Sequence, residues 1–63
     1  MEDFEVENHG SLFLLRPMTS AAWNWAEQHL PEDAQMFGQA YAVEHRYIAD
    51  IVEGIQADGL GVA

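Results

Sequence analysis

The side chains best suited to chemistry in this chain are carboxylates, and their spacing is regular. Asp3, Glu5 and Glu7 alternate with Phe4 and Val6. In an extended strand that alternation puts the three acids on one face, about 6.5–7 Å apart. Phosphates along one nucleic-acid strand are spaced on a similar scale. Glu32 and Asp33 add charge in a polar connection, and Asp50, Glu53 and Asp58 add it along the last helical pattern. Acidic rows on a small rigid body imitate a phosphate backbone. They attract a basic groove built for DNA or RNA, quickly and in a salt-dependent way. The bland alternative is a solvated acidic surface that only keeps the chain soluble.

The other reactive residue types form no recognised arrangement. His9, His29 and His45 match no standard ligand spacing, and no cysteine accompanies them. There is no glycine-rich phosphate loop, no CxxC and no HExxH. Ser11, Thr19 and Ser20 read as strand and cap residues with no base beside them. These features point away from an enzyme, a metal centre or a bound cofactor.

The bulk properties narrow the class further. Sixty-three residues make one domain, residues 1–63, with a hydrophobic share of 49%. A chain this short buries only about 60% of its unfolded surface, so its stability is marginal. Eleven acids face two arginines and no lysine, for a formal net charge of −9. That exceeds the magnitude of roughly 2–8 that suits a small soluble domain. A field of this sign repels nucleic acid and anionic membranes. The expected partner is therefore a basic nucleic-acid-binding protein or complex. No apolar run approaches the ~18 residues of a membrane span. Met1-Glu2-Asp3 is acidic where a secretion signal needs positive charge. The expected location is the cytoplasm.

The acids must be positioned by a short series of elements. Asp3 to Glu7 is the pattern of a half-buried strand, and Asn8-His9-Gly10 reads as a three-residue turn. Ser11 to Arg16 is apolar on both faces. It suggests a central strand, or one whose second face meets a partner, including a second copy of the chain through residues 11–16. Pro17 ends the pairing, because it has no N–H to donate. Thr19 or Ser20 caps a helix over Ala21–Leu30, stopped by Pro31. Ala22, Trp23, Ala26 and Leu30 share its apolar face, which puts Trp23 in the core. Trp25 at the margin is either a half-buried support for the hairpin or an exposed partner anchor, since Trp is enriched in binding hot spots.

Phe37 to Val43 reads as a third strand with Phe37, Tyr41 and Val43 on one face. A last helix from about Glu44 to Asp58 carries the stripe Ile48, Ile51, Val52 and Ile55, pairs Arg46 with Asp50, and ends at Gly59. The fold class is α+β in the order ββαβα, a three-stranded sheet with two helices packed on one face. A right-handed crossover makes the second and third strands parallel, as neighbours or, in the favoured order, with the first strand between them. In that geometry the strand acids face away from the helices, so strand and helix acids form two separate surfaces.

Two blocks carry a resemblance: Gly10-Ser11-Leu12-Phe13-Leu14-Leu15-Arg16-Pro17-Met18-Thr19 followed by Ala22 and Trp23, and Val43-Glu44-His45-Arg46-Tyr47 through Gly59-Leu60. Over most of the chain they resemble short uncharacterised proteins of bacteria and mobile elements. In size, acidity and lack of cysteine the chain is also similar to small phage-encoded inhibitors of host defence, including anti-CRISPR proteins, some of which imitate nucleic acid. That likeness implies a non-enzymatic inhibitor acting on a basic nucleic-acid-binding surface. The alternative is a small homodimerising regulatory or antitoxin-like accessory module.

Overall fold

A computed structural model describes residues 2–63. The chain runs β1 (Phe4–His9), β2 (Leu12–Pro17), α1 (Ser20–His29), β3 (Met36–Phe37), β4 (Ala40–Glu44) and α2 (His45–Ala57). It is an α+β fold with a four-stranded antiparallel sheet in the order β1-β2-β4-β3. The expected sheet of three strands is thus corrected to four. The difference lies in residues 37–43, which form a hairpin rather than one strand.

Two glycines close the hairpins. His9 pairs with Leu12 across a two-residue loop, where Gly10 has φ 84° and donates its N–H to Asn8 Oδ1 at 2.9 Å. The expected turn Asn8-His9-Gly10 is corrected to Gly10-Ser11, because Asn8 and His9 both stay paired in β1 and Ser11 leaves the strand. Phe37 pairs with Ala40 across Gly38-Gln39, and Gly38 has φ 60°. A positive φ at the first central residue and not at the second, Ser11 or Gln39, is the type II′ pattern, whose twist matches that of the flanking strands. Phe37 therefore lies opposite Ala40 on the uncovered face, away from Tyr41 and Val43.

This hairpin also decides the strand order. β2 pairs with β4 antiparallel, with Leu14 opposite Ala42, and β1 lies at the side of the sheet instead of its middle. The chain leaves β2, crosses through α1 and returns as β3, which runs parallel to β2. The turn at Gly38 then brings β4 back between them. The double apolar face of β2 suits this central position.

Both helices cover the face shared by Phe4, Leu15, Tyr41 and Val43. Thr19 is the N-cap of α1, and its Oγ1 accepts the Ala22 N–H at 3.1 Å. The helix stops at Leu30, ahead of Pro31. The two tryptophans exchange their expected roles. Trp25 is buried at 8% exposure, while Trp23 is half-buried against Tyr41. Measured from the midpoint of Ala22 and Ala26, both lie about 80° away at 100° per residue. The helix alone cannot choose, and the packing of α2 does.

In α2, Ile48 and Ile55 are buried, with Ile51 and Val52 beside them. It closes in a Schellman motif: Gly59 N–H donates to Gln56 O, and Leu60 N–H to Ile55 O. Arg46 pairs with Glu44 at 3.0 Å and lies over the Tyr47 ring, not with Asp50 as expected. The tail then runs beside β1. Val62 pairs with Phe4 in parallel, and Gly61 and Ala63 exchange backbone bonds with Asp3, Phe4 and Val6. No helix among the described residues is long and apolar enough to cross a membrane.

Gly54 tests how closely the helices meet. A Cβ built there lies 3.5 Å from Trp25 Cζ2, an ordinary contact. Gly54→Ala should raise stability by about 0.5–1 kcal/mol, because it removes the helix penalty of glycine. Gly54→Leu should lower it by about 1–3 kcal/mol through overpacking against the indole. Urea unfolding of the two variants checks the contrast.

Candidate interaction surfaces

The acidic row of β1 lies on the uncovered face of the sheet, where Glu5 stands directly opposite Arg16. One guanidinium serves two acids. Arg16 Nη1 donates to Glu5 Oε1 at 2.7 Å and to Glu7 Oε2 at 3.2 Å. His9 Nε2 lies 3.1 Å from the other Glu7 oxygen. The His9 hydrogen bond and then Arg16 hold the Glu7 carboxyl below its usual range. Glu7 in turn raises the Arg16 guanidinium. The row therefore does not present free charges at every position. It is a partly compensated patch, one guanidinium against two carboxylates, beside Leu12, Leu14 and Ala42.

Asp3 lies outside this row. It precedes β1, and its carboxylate joins three parts of the chain. Oδ1 accepts the Thr19 hydroxyl at 2.8 Å, and Oδ2 accepts the Gly61 N–H at 3.0 Å. Its own carbonyl accepts the Met18 N–H. The Gly61 amide first, and then Thr19, hold the Asp3 carboxyl below the usual aspartate range. The side chain expected to meet a partner instead ties the start of α1 and the tail to β1.

Asp58 and Trp25 are likewise engaged within the fold. Trp25 Nε1 donates to Asp58 Oδ2 at 2.7 Å. The indole meets Phe4 edge to face and stacks on the His29 ring, with centroids 4.2 Å apart. His29 Nδ1 is 2.8 Å from the Trp25 carbonyl, which makes that nitrogen the donor. His29 Nε2 lies 3.7 Å from Asp58. Trp25 is thus a core residue that fastens the end of α2 to α1, and burial removes it as an exposed anchor.

The remaining acids have a different setting. Glu32, Asp33, Asp50 and Glu53 are exposed, as is Glu27 on α1. Among the described residues none of these five is paired with a cationic group. They belong to the helices and to the loop after α1, away from Arg16. The structure thus divides the expected residues into Glu5 and Glu7 on the sheet, Asp3 and Asp58 engaged within the fold, and the others on the helix side.

Some of these acids border an apolar groove that the sequence did not reveal. A cavity of about 380 Å³ lies between the end of α1, the edge of β4 and the start of α2, with Leu30, Ala34, Val43 and Tyr47 in its wall and Glu44 and Asp50 at its rim. A second depression, about 390 Å³, shares Leu30, Pro31, Ala34 and Tyr41 with it and carries Glu27 and Glu32. Burial, and then the charge of Glu27, raise the Tyr41 phenol above its usual range. The only signal for this groove was Gly38, the glycine that splits the expected third strand. Among the described residues no three His, Asp or Glu side chains are grouped to hold a metal ion.

The chain matches no family model, no curated protein and no solved structure.

The clip at Asp3 gives a pH test. Its pKa is depressed in the fold, so its stabilisation is present above the unfolded aspartate value of about 3.9. It is lost as pH falls through the lower folded value. Asp3→Asn should lower the urea midpoint at pH 7, and the gap to the wild type should close below about pH 4. A gap that persists unchanged into acid would show that the carboxylate charge plays no part.

Proposed function

We propose that this chain is a non-enzymatic inhibitor that occupies the basic nucleic-acid-binding surface of a host complex, in the manner of an anti-CRISPR protein. The observation that carries the reading is the division of charge. Both arginines are paired, Arg16 with Glu5 and Glu7 and Arg46 with Glu44. Glu27, Glu32, Asp33, Asp50 and Glu53 are left exposed on the helix side. With a net charge of −9, that side keeps a field that a phosphate-binding surface attracts. The contact is assigned to these acids, with the β1 row secondary. The setting that fits is the cytoplasm of the host cell.

A pull-down from host lysate at low and high salt tests this. The complex should weaken steeply as salt rises, and a short DNA duplex should compete with it. Replacing both Asp50 and Glu53 by lysine should weaken binding about tenfold or more while the unfolding midpoint stays close to wild type. The same change at Glu5 and Glu7 should have a smaller effect on binding and lower stability, because it places lysines beside Arg16. A complex insensitive to salt would remove the electrostatic basis of the reading.

One observation favours a second reading, a homodimerising accessory module. The uncovered sheet face carries Leu12, Leu14, Ala42 and the half-exposed Phe37 beside charges that Arg16 partly compensates. Sedimentation velocity separates the two: a dimer abolished by Leu14→Glu supports the module, and a monomer at all concentrations excludes it.

A further inference from the structure

We propose that the groove beside β4 is a docking site for an extended, cationic segment of a partner protein, which pairs with the strand edge and inserts one apolar side chain. The proposal rests on the basic partner proposed above and names the part of it that is recognised.

The edge geometry comes first. β3 covers β4 only at Ala40 and Tyr41, with one further bond from Ala42 N–H to Gln35 O. Among the described residues no strand lies beside Val43 and Glu44 on that side. His45 N–H donates to the carbonyl of Ser11, just ahead of β2, whereas Ala42 N–H points away from β2 to Gln35. By the alternation of an antiparallel strand, Glu44 N–H points the same way as Ala42. The Ala42 carbonyl and the Glu44 N–H thus flank Val43 and face outward. One residue of a parallel strand satisfies both groups. The molecule already uses this arrangement on the opposite edge, where Phe4 donates to Gly61 O and accepts from Ala63 N–H. Adding a strand to an open edge is a general mode of peptide recognition, with backbone bonds for affinity and pockets for alternate side chains.

The wall and the rim identify the occupant. The groove against this edge is lined by Leu30, Ala34, Val43 and Tyr47, and Tyr47 is half-exposed. It accepts an apolar side chain. Asp50 stands at its rim, and Glu27 and Glu32 border the adjoining depression; Glu44 also borders the groove, but its carboxylate is paired with Arg46. Charged edges deter pairing between like chains. A second copy of this chain would bring no free cation to this rim, because both of its arginines are already paired. A segment with Arg or Lys two residues either side of its apolar residue places cations on the same face as that residue, towards Asp50, Glu27 and Glu32.

The probe is a blocked heptapeptide, acetyl-Gly-Arg-Thr-Leu-Thr-Arg-Gly-amide, titrated to millimolar concentration into the full chain at low salt and followed by amide NMR. The expected result is that shifts concentrate at Leu30, Val43, Glu44 and Tyr47, and that the Glu44 amide becomes protected from hydrogen exchange. The same peptide with Glu in place of Arg should bind at least tenfold more weakly. Asp50→Asn should weaken the Arg peptide about threefold, and Ala34→Leu, which fills the groove, at least tenfold. Unfolding midpoints confirm that both variants fold. No shifts at all, shifts confined to the uncovered sheet face, or equal binding of the Glu peptide would overturn the proposal. A lysate complex lost on reversing Asp50 and Glu53 but intact in Ala34→Leu would refute the groove and leave the charge reading in place.

Discussion

The structure depends on how the indole of Trp25 is held. It lies across the junction of three elements, nearly perpendicular to the ring of Phe4 on β1, with its six-membered ring beside Gly54 of α2 and its N–H bonded to Asp58 at the end of α2. A tryptophan buries a large apolar surface and still needs a partner for its N–H. Asp58 supplies that partner without an enclosed unpaired charge, since it remains exposed on its other side. Gly54 has no side chain to push the indole away. The same contact that closes the core therefore sets how near α2 comes to α1. The groove beside β4 lies between Leu30 at the end of α1 and Tyr47 and Asp50 on α2.

Asp3 holds the other end of the molecule in a related way. One carboxylate bonds the α1 cap residue and the tail amide, and the tail lies against β1 as a short parallel extension. In a chain of 63 residues with no cysteine, charged hydrogen bonds of this kind take the place of covalent staples. Acidic residues thus have two different duties here. Asp3 and Asp58 hold elements together, whereas Glu27, Glu32, Asp33, Asp50 and Glu53 lie in water and shape the field. Composition counts both kinds alike.

Most of the local structure was legible in the residues. The alternation at 4–7, the Thr19 cap, the stop at Pro31, the stripe of Ile48, Ile51, Val52 and Ile55 and the Gly59 terminus all act within a few residues of chain, and all appear. The errors share one cause. Gly38 sits in an apolar run that looks like a strand, yet only the pairing of Phe37 with Ala40 shows that the chain turns there. The positions of Trp23 and Trp25 are equivalent about the Ala22–Ala26 axis, and the choice belongs to α2. The acids at 3, 5 and 7 share a period, but Arg16 and Gly61 meet them only across the fold.

The sequence alone determined the acidity, the α+β class, the two helices with their ends and the first hairpin, because charge, periodicity and capping are properties of neighbouring residues. The tertiary structure decided the fourth strand, the order β1-β2-β4-β3, which tryptophan is buried and which carboxylates remain free. Each of these depends on groups far apart in the chain. Pairing across strands and contact between helices satisfy a hydrogen bond or a charge that no local pattern records.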